Sequence, residues 1–437
     1  MGRGPGAQWR AIYSAWKPSK GSHTLPRRTP LAKPSFVHTI KAMIYLDNAA
    51  STQPAPEVLE AMTRAARDLF ANPSSAHALG AAAGRAIEGA REQVARLLGA
   101  ASPAEVLFTS GGTEADALCL VGAATRARGR HLVVTAIEHP AVLRTAELLV
   151  GQGYELTVVP PDRSGVVSAA DVVAAVRPDT AVVAVMLVNN ELGTIQPIAE
   201  IAQGLARSAP EHPHRPHLHV DGVQAVGFLP LRVASLGADT MALSGHKFHG
   251  PKGAGALWVR PGVRLAPLWD GGRQERGLRS GTENLPGWVG LGAAAELVAA
   301  QRDTHTVERV RGERDRLERD VLASLADLAG ITEPQPTVSG APRAPHISSL
   351  AFSGLPAEPM LHALEARGVY ASAGSACASR TRGPNHVLEA IGADDGAAVL
   401  RFSLSRETTA ADIDGAVAAL REAIIEIAPM VKTRARR

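Results

Sequence analysis

A lysine, an aspartate, a glycine-rich turn and a cysteine carry most of the chemistry this sequence can offer. Lys247 closes the apolar run Thr240–Leu243 within Ser244-Gly245-His246-Lys247, followed by Phe248-His249-Gly250-Pro251-Lys252-Gly253. A lysine held among small residues, near two histidines and a second lysine, gives up its proton readily, as the nucleophilic amine of a Schiff base must. A surface lysine in a turn is the ordinary alternative. Asp221, in His219-Val220-Asp221-Gly222-Val223-Gln224, sets a carboxylate at the end of another apolar run. Burial there is costly unless the carboxylate meets a cation or a donor. A pyridinium nitrogen would serve, held protonated so that the ring accepts electrons; capping of the next helix is an equal alternative. Thr109-Ser110-Gly111-Gly112-Thr113-Glu114 leaves a strand and opens a helix, where free amides and the helix dipole suit a phosphate. A turn capped by Ser110 or Thr113 competes with that reading, and the segment has neither a nucleotide P-loop ending nor a dinucleotide fingerprint.

The two cysteines differ in setting. Cys119 sits in Ala117-Leu118-Cys119-Leu120 and reads as core. Cys377 lies in Ala371-Ser372-Ala373-Gly374-Ser375-Ala376-Cys377-Ala378-Ser379, a run with little to pack, which suits a thiol that must travel to a substrate.

The elements that must position these residues alternate in type. Val106–Thr109, His131–Ala136, Glu155–Val159, Ala181–Val188, His217–Val220, Thr240–Leu243 and Ala254–Val259 read as buried strands. Amphipathic stretches such as Thr113–Ala127, Ala141–Gln152 and Ile198–Ala209 lie between them. The alternation predicts an α/β fold with a mostly parallel sheet covered by helices, whose ligands bind at the carboxyl ends of the strands. Beyond it come a long charged helix, Ala293–Leu325, a Pro-rich surface loop, Glu333–Pro345, strands at Ile347–Phe352, Val369–Ala371 and Val399–Leu404, and helices at Pro359–Arg367 and Ala410–Ile427. These form a smaller C-terminal α+β domain. The expected boundaries are a large domain over 58–300 and a small domain of 43–57 with 301–437, carrying the cysteine loop.

Composition narrows the function. With 45% apolar and 20% charged residues the chain is globular. Its formal charge is +4, yet eight of the 46 Lys and Arg and none of the 42 Asp and Glu precede Met43, so residues 43–437 are mildly acidic. That argues against a basic nucleic-acid surface. No apolar run is long enough for a membrane span, and two cysteines fit a reducing, cytoplasmic setting. Residues 1–42, basic and acid-free, read as a targeting presequence or, preferably, as a disordered tail or an early start, because Met43 directly precedes Ile44-Tyr45-Leu46.

In this order the segments resemble the cysteine desulfurases, fold-type-I pyridoxal-phosphate enzymes related to the class V aminotransferases. The resemblance extends over residues 44–428 and includes Leu46-Asp47-Asn48-Ala49-Ala50, Asn72-Pro73-Ser74-Ser75 with His77, Glu138-His139, Val188-Asn189-Asn190-Glu191 with Gln196-Pro197, Arg279-Ser280-Gly281-Thr282-Glu283-Asn284 and Arg401-Phe402-Ser403. It implies that Lys247 holds pyridoxal 5'-phosphate covalently, that Asp221 faces the pyridine nitrogen, and that Gln224 and Asn189 face the ring hydroxyl. His139 would stack on the ring and shuttle protons. Gly112, Thr113, Ser244 and His246 would bind the phosphate, joined by Thr282 from a partner subunit, hence a homodimer. Arg401, with Asn189, would hold the substrate carboxylate, a bidentate task suited to guanidinium.

The implied reaction takes sulfur from L-cysteine, leaving alanine and a persulfide on Cys377 that passes to an acceptor such as an iron–sulfur scaffold or a tRNA- or cofactor-thiolating protein. No resident metal is expected, apart from Cys377 as a transient iron–sulfur ligand. A selenocysteine lyase or aminotransferase on the same fold, and a non-catalytic sulfur-relay scaffold, are the alternatives. Arg273 and Ser405 stand where the family has glycines, which places the local backbone in question, and Pro210–Pro216 reads as a surface insertion.

Overall fold

The computed structural model describes residues 43–434 apart from 209–214, 301–303, 329, 375–384 and 394–396. The N-terminal extension, most of the expected insertion and Cys377 itself therefore lie outside the described residues. In chain order the strands are β1 Ile44–Tyr45, β2 Val106–Thr109, β3 His131–Thr135, β4 Glu155–Val159, β5 Thr180–Met186, β6 His217–Asp221, β7 Thr240–Ser244, β8 Gly255–Val259, β9 Pro334–Pro336, β10 Ile347–Ser353, β11 Val369–Tyr370 and β12 Ala397–Ser403. The α-helices are α1 Pro56–Asp68, α2 Ala78–Leu98, α3 Gly112–Arg126, α4 Pro140–Val150, α5 Ala169–Ala174, α6 Ile198–Ser208, α7 Val233–Leu236, α8 Leu285–Ala300, α9 Thr304–Ser324, α10 Ala357–Glu365, α11 His386–Ala390 and α12 Ala410–Arg434.

The main sheet runs β2-β8-β7-β6-β5-β3-β4, with β8 antiparallel to both neighbours and all other pairs parallel. Strands β5 and β7 are buried along their whole length and mostly apolar because helices cover both faces, whereas β6 between them alternates polar His217, His219 and Asp221 with apolar Leu218 and Val220. One face carries Leu118, Cys119, Val182, Ala242 and Leu257; the other carries Val183, Val185, Val220, Met241 and Trp288. Helix α8 is rich in small residues, and this decides how closely it packs: a Cβ on Gly292 would stand 2.7 Å from the Cα of Ala90 on α2. Because β4 and β5 lie on opposite sides of β3, the loops leaving β3 and β5 part and open a crevice at the carboxyl end of the sheet.

The rest of the chain builds a second sheet, β12-β10-β9, and a two-stranded pairing of β1 with β11. A separate apolar cluster of Leu46, Leu317, Leu350, Phe402, Ile413 and Ile424 lies against them. Two expectations are corrected here. The Pro-rich segment read as a surface loop supplies β9, an edge strand that tolerates proline because its partner lies on one side only. The single helix expected over Ala293–Leu325 is two helices, α8 and α9, on either side of residues 301–303. Arg273 has φ −96° and Ser405 is not among the left-handed residues, so neither substitution meets a position that requires glycine.

The left-handed strain falls instead on Glu275 (φ 44°) and Arg276 (φ 58°). Glu275 is locked in place by buried contacts. Arg91 grips its two oxygens at 2.8 and 2.6 Å, Phe108 N–H donates at 2.7 Å, and the guanidinium lies over the Phe108 ring. Removing the carboxylate leaves the buried guanidinium on α2 with only the exposed Glu88 at Nε and the Val106 carbonyl to hold it. Glu275→Ala should therefore lower unfolding free energy by about 3–5 kcal/mol, the range for breaking a buried pair from one side, read as a shift of the urea midpoint. An unchanged midpoint would show that Arg91 finds water instead.

Candidate active site

A cavity of about 250 Å³ opens at the carboxyl end of the main sheet, lined by Ala49, Ala50, Gly112, Thr113, Asp116, His139, Met186, Asn190, Asp221, Val223, Gln224, Ser244, His246, Lys247 and Arg401. Met186, Asp221 and Ser244 arrive from strand ends and Gly112, Thr113 and His139 from helix openings, while Ala49, Ala50 and Asn190 come from turns and Arg401 from within β12. Lys247 follows β7 in a short 3-10 turn, and its Nζ donates to the carbonyls of Ala49 (2.6 Å) and Ala50 (2.9 Å). Gln224 Nε2 also donates to Ala49 O, at 2.8 Å. The segment after β1 thus meets the lysine-bearing turn through backbone acceptors.

Asp221 ends β6. Its Oδ1 accepts from Val223 N–H at 2.9 Å. Burial raises its pKa, against the opposing pull of His139 and Lys247. His139 is the N-cap of α4, its Nδ1 accepting from Ala141 N–H at 3.1 Å, with Pro140 opening the helix. Burial lowers the pKa of His139 against the upward pull of Asp221, with Lys247 and His386 adding to the lowering, and Nδ1 accepts from Ala141, so the neutral ring carries its proton on Nε2. Burial likewise drives His246 down to about 4, with Lys247 and Lys252 adding to the effect. At the opening of α3, Gly111 provides no side-chain cap, so the first amides of this 15-residue helix face the cavity beside the hydroxyls of Thr113 and Ser244.

Arg401 is buried. Its Nη1 donates to Asn190 O (2.8 Å) and its Nη2 to Asp47 (2.7 Å), while Nε has no partner among the described residues. Two further buried carboxyls lie near Asp221: Asp116, which also lines the cavity, and Glu138. Glu138 accepts from Thr135 Oγ1 at 2.6 Å and Met186 N–H at 2.8 Å, yet burial pushes it up to about 8.

Of the residues expected from the sequence, Gly112, Thr113, His139, Asp221, Gln224, Ser244, His246, Lys247 and Arg401 line this one cavity. Asn189 does not. Its amide is consumed by backbone, Nδ2 donating to Ile137 O at 3.0 Å and Oδ1 accepting from the amides of Glu191 and Leu192 at 2.9 and 2.8 Å. The next residue, Asn190, lines the cavity. Thr282 is exposed and outside the cavity of its own chain. Asp116, Ala49 and Ala50 were not anticipated. A signal for Asp116 was present: it stands four residues after Gly112 on the same helix and so on the same face.

Residues 375–384, with Cys377, are bracketed by described residues. Gly374 has φ +67°, and a Cβ there would stand 2.5 Å from Asn385 Nδ2 and 3.1 Å from Glu191 Oε2. Asn385 Nδ2 donates to that same oxygen at 2.5 Å, and His386 Nε2 donates to Glu138 O at 3.0 Å. Both flanks of the cysteine-bearing segment therefore meet at Glu191, next to the cavity-lining Asn190.

The family model for class-V aminotransferases matches residues 44–415. The chain belongs to that family. It is 42% identical over 401 residues to a cysteine desulfurase of Trichormus azollae, covering 90% of this chain and 94% of the relative. Among solved structures it superimposes on a NifS-like protein with a TM-score of 0.79 at 34% identity, covering 88% of this chain and 100% of the other. A second, SspA in complex with cysteine, gives 0.70 at 34% identity, covering 84% and 99%. The mostly parallel α/β sheet with its separate smaller sheet is the architecture of this class-V member.

Proposed function

We propose that this chain is a pyridoxal-phosphate-dependent cysteine desulfurase, which converts L-cysteine to alanine and leaves the sulfur as a persulfide on Cys377. The observation that carries the reading is the convergence of Lys247, Asp221, His139 and Arg401 on one cavity whose rim anchors both flanks of the Cys377 segment.

The donor set fits the cofactor. Uncapped α3 amides with Thr113 and Ser244 suit a phosphate dianion. Asp221 has one oxygen held by backbone, and its Oδ2 accepts no hydrogen bond from the described residues, which suits a ring N–H⁺. Lys247 supplies the amine. When bound, the cofactor supplies an electron sink for bonds broken at the substrate carbons.

The remaining work falls to the chain. Arg401, shared with Asp47, receives the substrate carboxylate and so fixes which bonds face the sink. Lys247 Nζ, the amine in the cavity, would take the α-proton and return one to carbon. His139, neutral with its proton on Nε2, donates in its resting form. Cys377 is the third residue after Gly374, so chain length alone allows it at most about 10 Å from that anchor. The Cys377 thiolate attacks the substrate sulfur. An S–S bond forms, the C–S bond breaks with its electron pair on carbon, and protonation there yields alanine. Cysteine and an enzyme thiol thus become alanine and an enzyme persulfide, with no outside oxidant.

The exposed Thr282 supports a homodimer in which it completes the partner's phosphate site, as the sequence resemblance implies. The persulfide would pass to an acceptor for iron–sulfur cluster, thio-cofactor or tRNA assembly, in the cytoplasm, whose reducing conditions keep Cys377 nucleophilic. The test is stoichiometry. Incubated with L-cysteine and a reductant, the cofactor-loaded protein should release sulfide and alanine in equal amounts. A yellow protein that forms pyruvate, or no alanine, would overturn the reading.

A further inference from the structure

Strand β6 alternates His217, His219 and Asp221 on one face, the face covered by α3. Helix α3 presents Asp116 and Cys119 to it, and β7 places Thr240 directly opposite His219. Inside an otherwise aliphatic layer these side chains make a continuous chain of hydrogen bonds. His217 Nε2 lies 2.8 Å from Thr240 Oγ1, Thr240 Oγ1 lies 2.9 Å from His219 Nδ1, and His219 Nε2 lies 3.0 Å from Asp116 Oδ1. Thr240, His219 and Asp116 are at most 1% exposed. Buried polar groups are costly unless paired, and these are paired end to end.

The two ends open on different cavities. Asp116 lines the candidate active site beside Asp221. His217 lines a larger groove of about 800 Å³ at the amino end of the sheet, with Arg126, Arg128, Arg215, Arg260 and Arg264. We propose that this row is a proton relay through the sheet, joining the arginine-lined groove to Asp116 and making Asp116 a positioning residue for the charge on Asp221. It rests on the reading of that cavity as the catalytic site.

Each member has the valences the task needs. With Asp116 ionised, hydrogens run one way: His217 Nε2–H to Thr240, Thr240 O–H to His219 Nδ1, His219 Nε2–H to Asp116. A proton taken up at His217 Nδ1 shifts each of these along by one bond. Asp116 ends neutral, His219 holds its proton on Nδ1, and every hydrogen bond persists with its direction reversed. Two adjacent buried carboxylates cannot both ionise cheaply, so protonating Asp116 leaves Asp221 as the charged member. The groups around the row are consistent with this. Burial, Asp221 and then Glu138 all raise Asp116, while burial lowers His217 to about 4, countered by Asp239 and reinforced by Arg215 and Arg260. His219 is lowered by burial and then by His217, to about 3, so it relays protons without holding a charge. The relay enters from the opposite end of the sheet and stays open when ligand fills the active-site cavity.

Cys119 provides the internal control. Its Sγ touches both His217 Nε2 (3.2 Å) and Thr240 Oγ1 (2.9 Å), but it is a side branch and not a link. The experiment is solvent exchange of the His219 ring N–H, followed by NMR in ¹⁵N-histidine-labelled protein loaded with pyridoxal phosphate. Thr240→Val and, independently, His217→Gln should each slow exchange about tenfold or more, while Thr240→Ser and Cys119→Ala keep the parental rate. A row that only braces the sheet opens faster when broken. Exchange that is unchanged or accelerated in both Thr240→Val and His217→Gln, or slowed equally by Cys119→Ala, would overturn the relay. Should Thr240→Val fail to fold, His217→Gln, at the groove end, decides alone. The measurement needs no turnover: slowed exchange in a protein that makes no sulfide would retain the relay and remove the desulfurase reading.

Discussion

Lys247→Ala should lack the visible absorbance of covalently held pyridoxal phosphate and release alanine from L-cysteine about 10²–10⁴-fold more slowly than the parent, the range for removing a proton-transferring group. The structure ties this to one atom. Nζ is aimed by two backbone carbonyls, Ala49 O and Ala50 O, and the turn that carries it leaves β7 among Ser244 and His246. Truncation to alanine removes the amine, yet the other cavity donors stay on their own strands, so cofactor should still bind non-covalently through α3 and Asp221. Lys252, five residues on, is exposed, and Lys252→Ala should alter neither absorbance nor rate. A Lys247→Ala protein with parental spectrum and rate would remove this residue from the mechanism and leave the cavity without a nucleophilic amine.

Much of the fold could be read from the chain because burial on both sheet faces leaves apolar runs with little else to be. Val106–Thr109 and Glu155–Val159 have the same limits in sequence and structure, and others differ by a residue or two at frayed ends. The misses share a cause: periodicity says which residues share a face but not what stands opposite. Asn189 and Asn190 are neighbours in a turn with no period, so only the packed structure shows that the first is bound to backbone and the second faces the cavity. Cys119 reads correctly as core. Its hydrogen bonds to His217 and Thr240 depend on the register of β6 against β7 and the docking of α3, which no local pattern encodes. Strand β9 was hidden by its prolines, whose usual effect is to end pairing. The clasp of Gly374, Asn385 and Glu191 joins residues far apart in sequence through one carboxylate, and a glycine in a small-residue run gives no hint of it.

Cys377→Ala should keep the parental cofactor spectrum and lose sulfide release to background. The two properties separate because the contacts that flank residue 377 are made by Gly374, Asn385, His386, Glu138 and Glu191, none of which needs the thiol. The second cysteine cannot replace it. Cys119 is buried, burial drives its pKa up, and its sulfur is engaged by Thr240 and His217 inside the sheet, so no thiolate forms there at neutral pH. Peptide mass spectrometry after brief exposure to cysteine should accordingly find one added sulfur on the Cys377 peptide of the parent and none on the Cys119 peptide. Alanine release from Cys377→Ala at the parental rate would mean that an external thiol takes the sulfur directly at the cavity, and the clasp at Glu191 would then serve substrate access in place of thiol delivery.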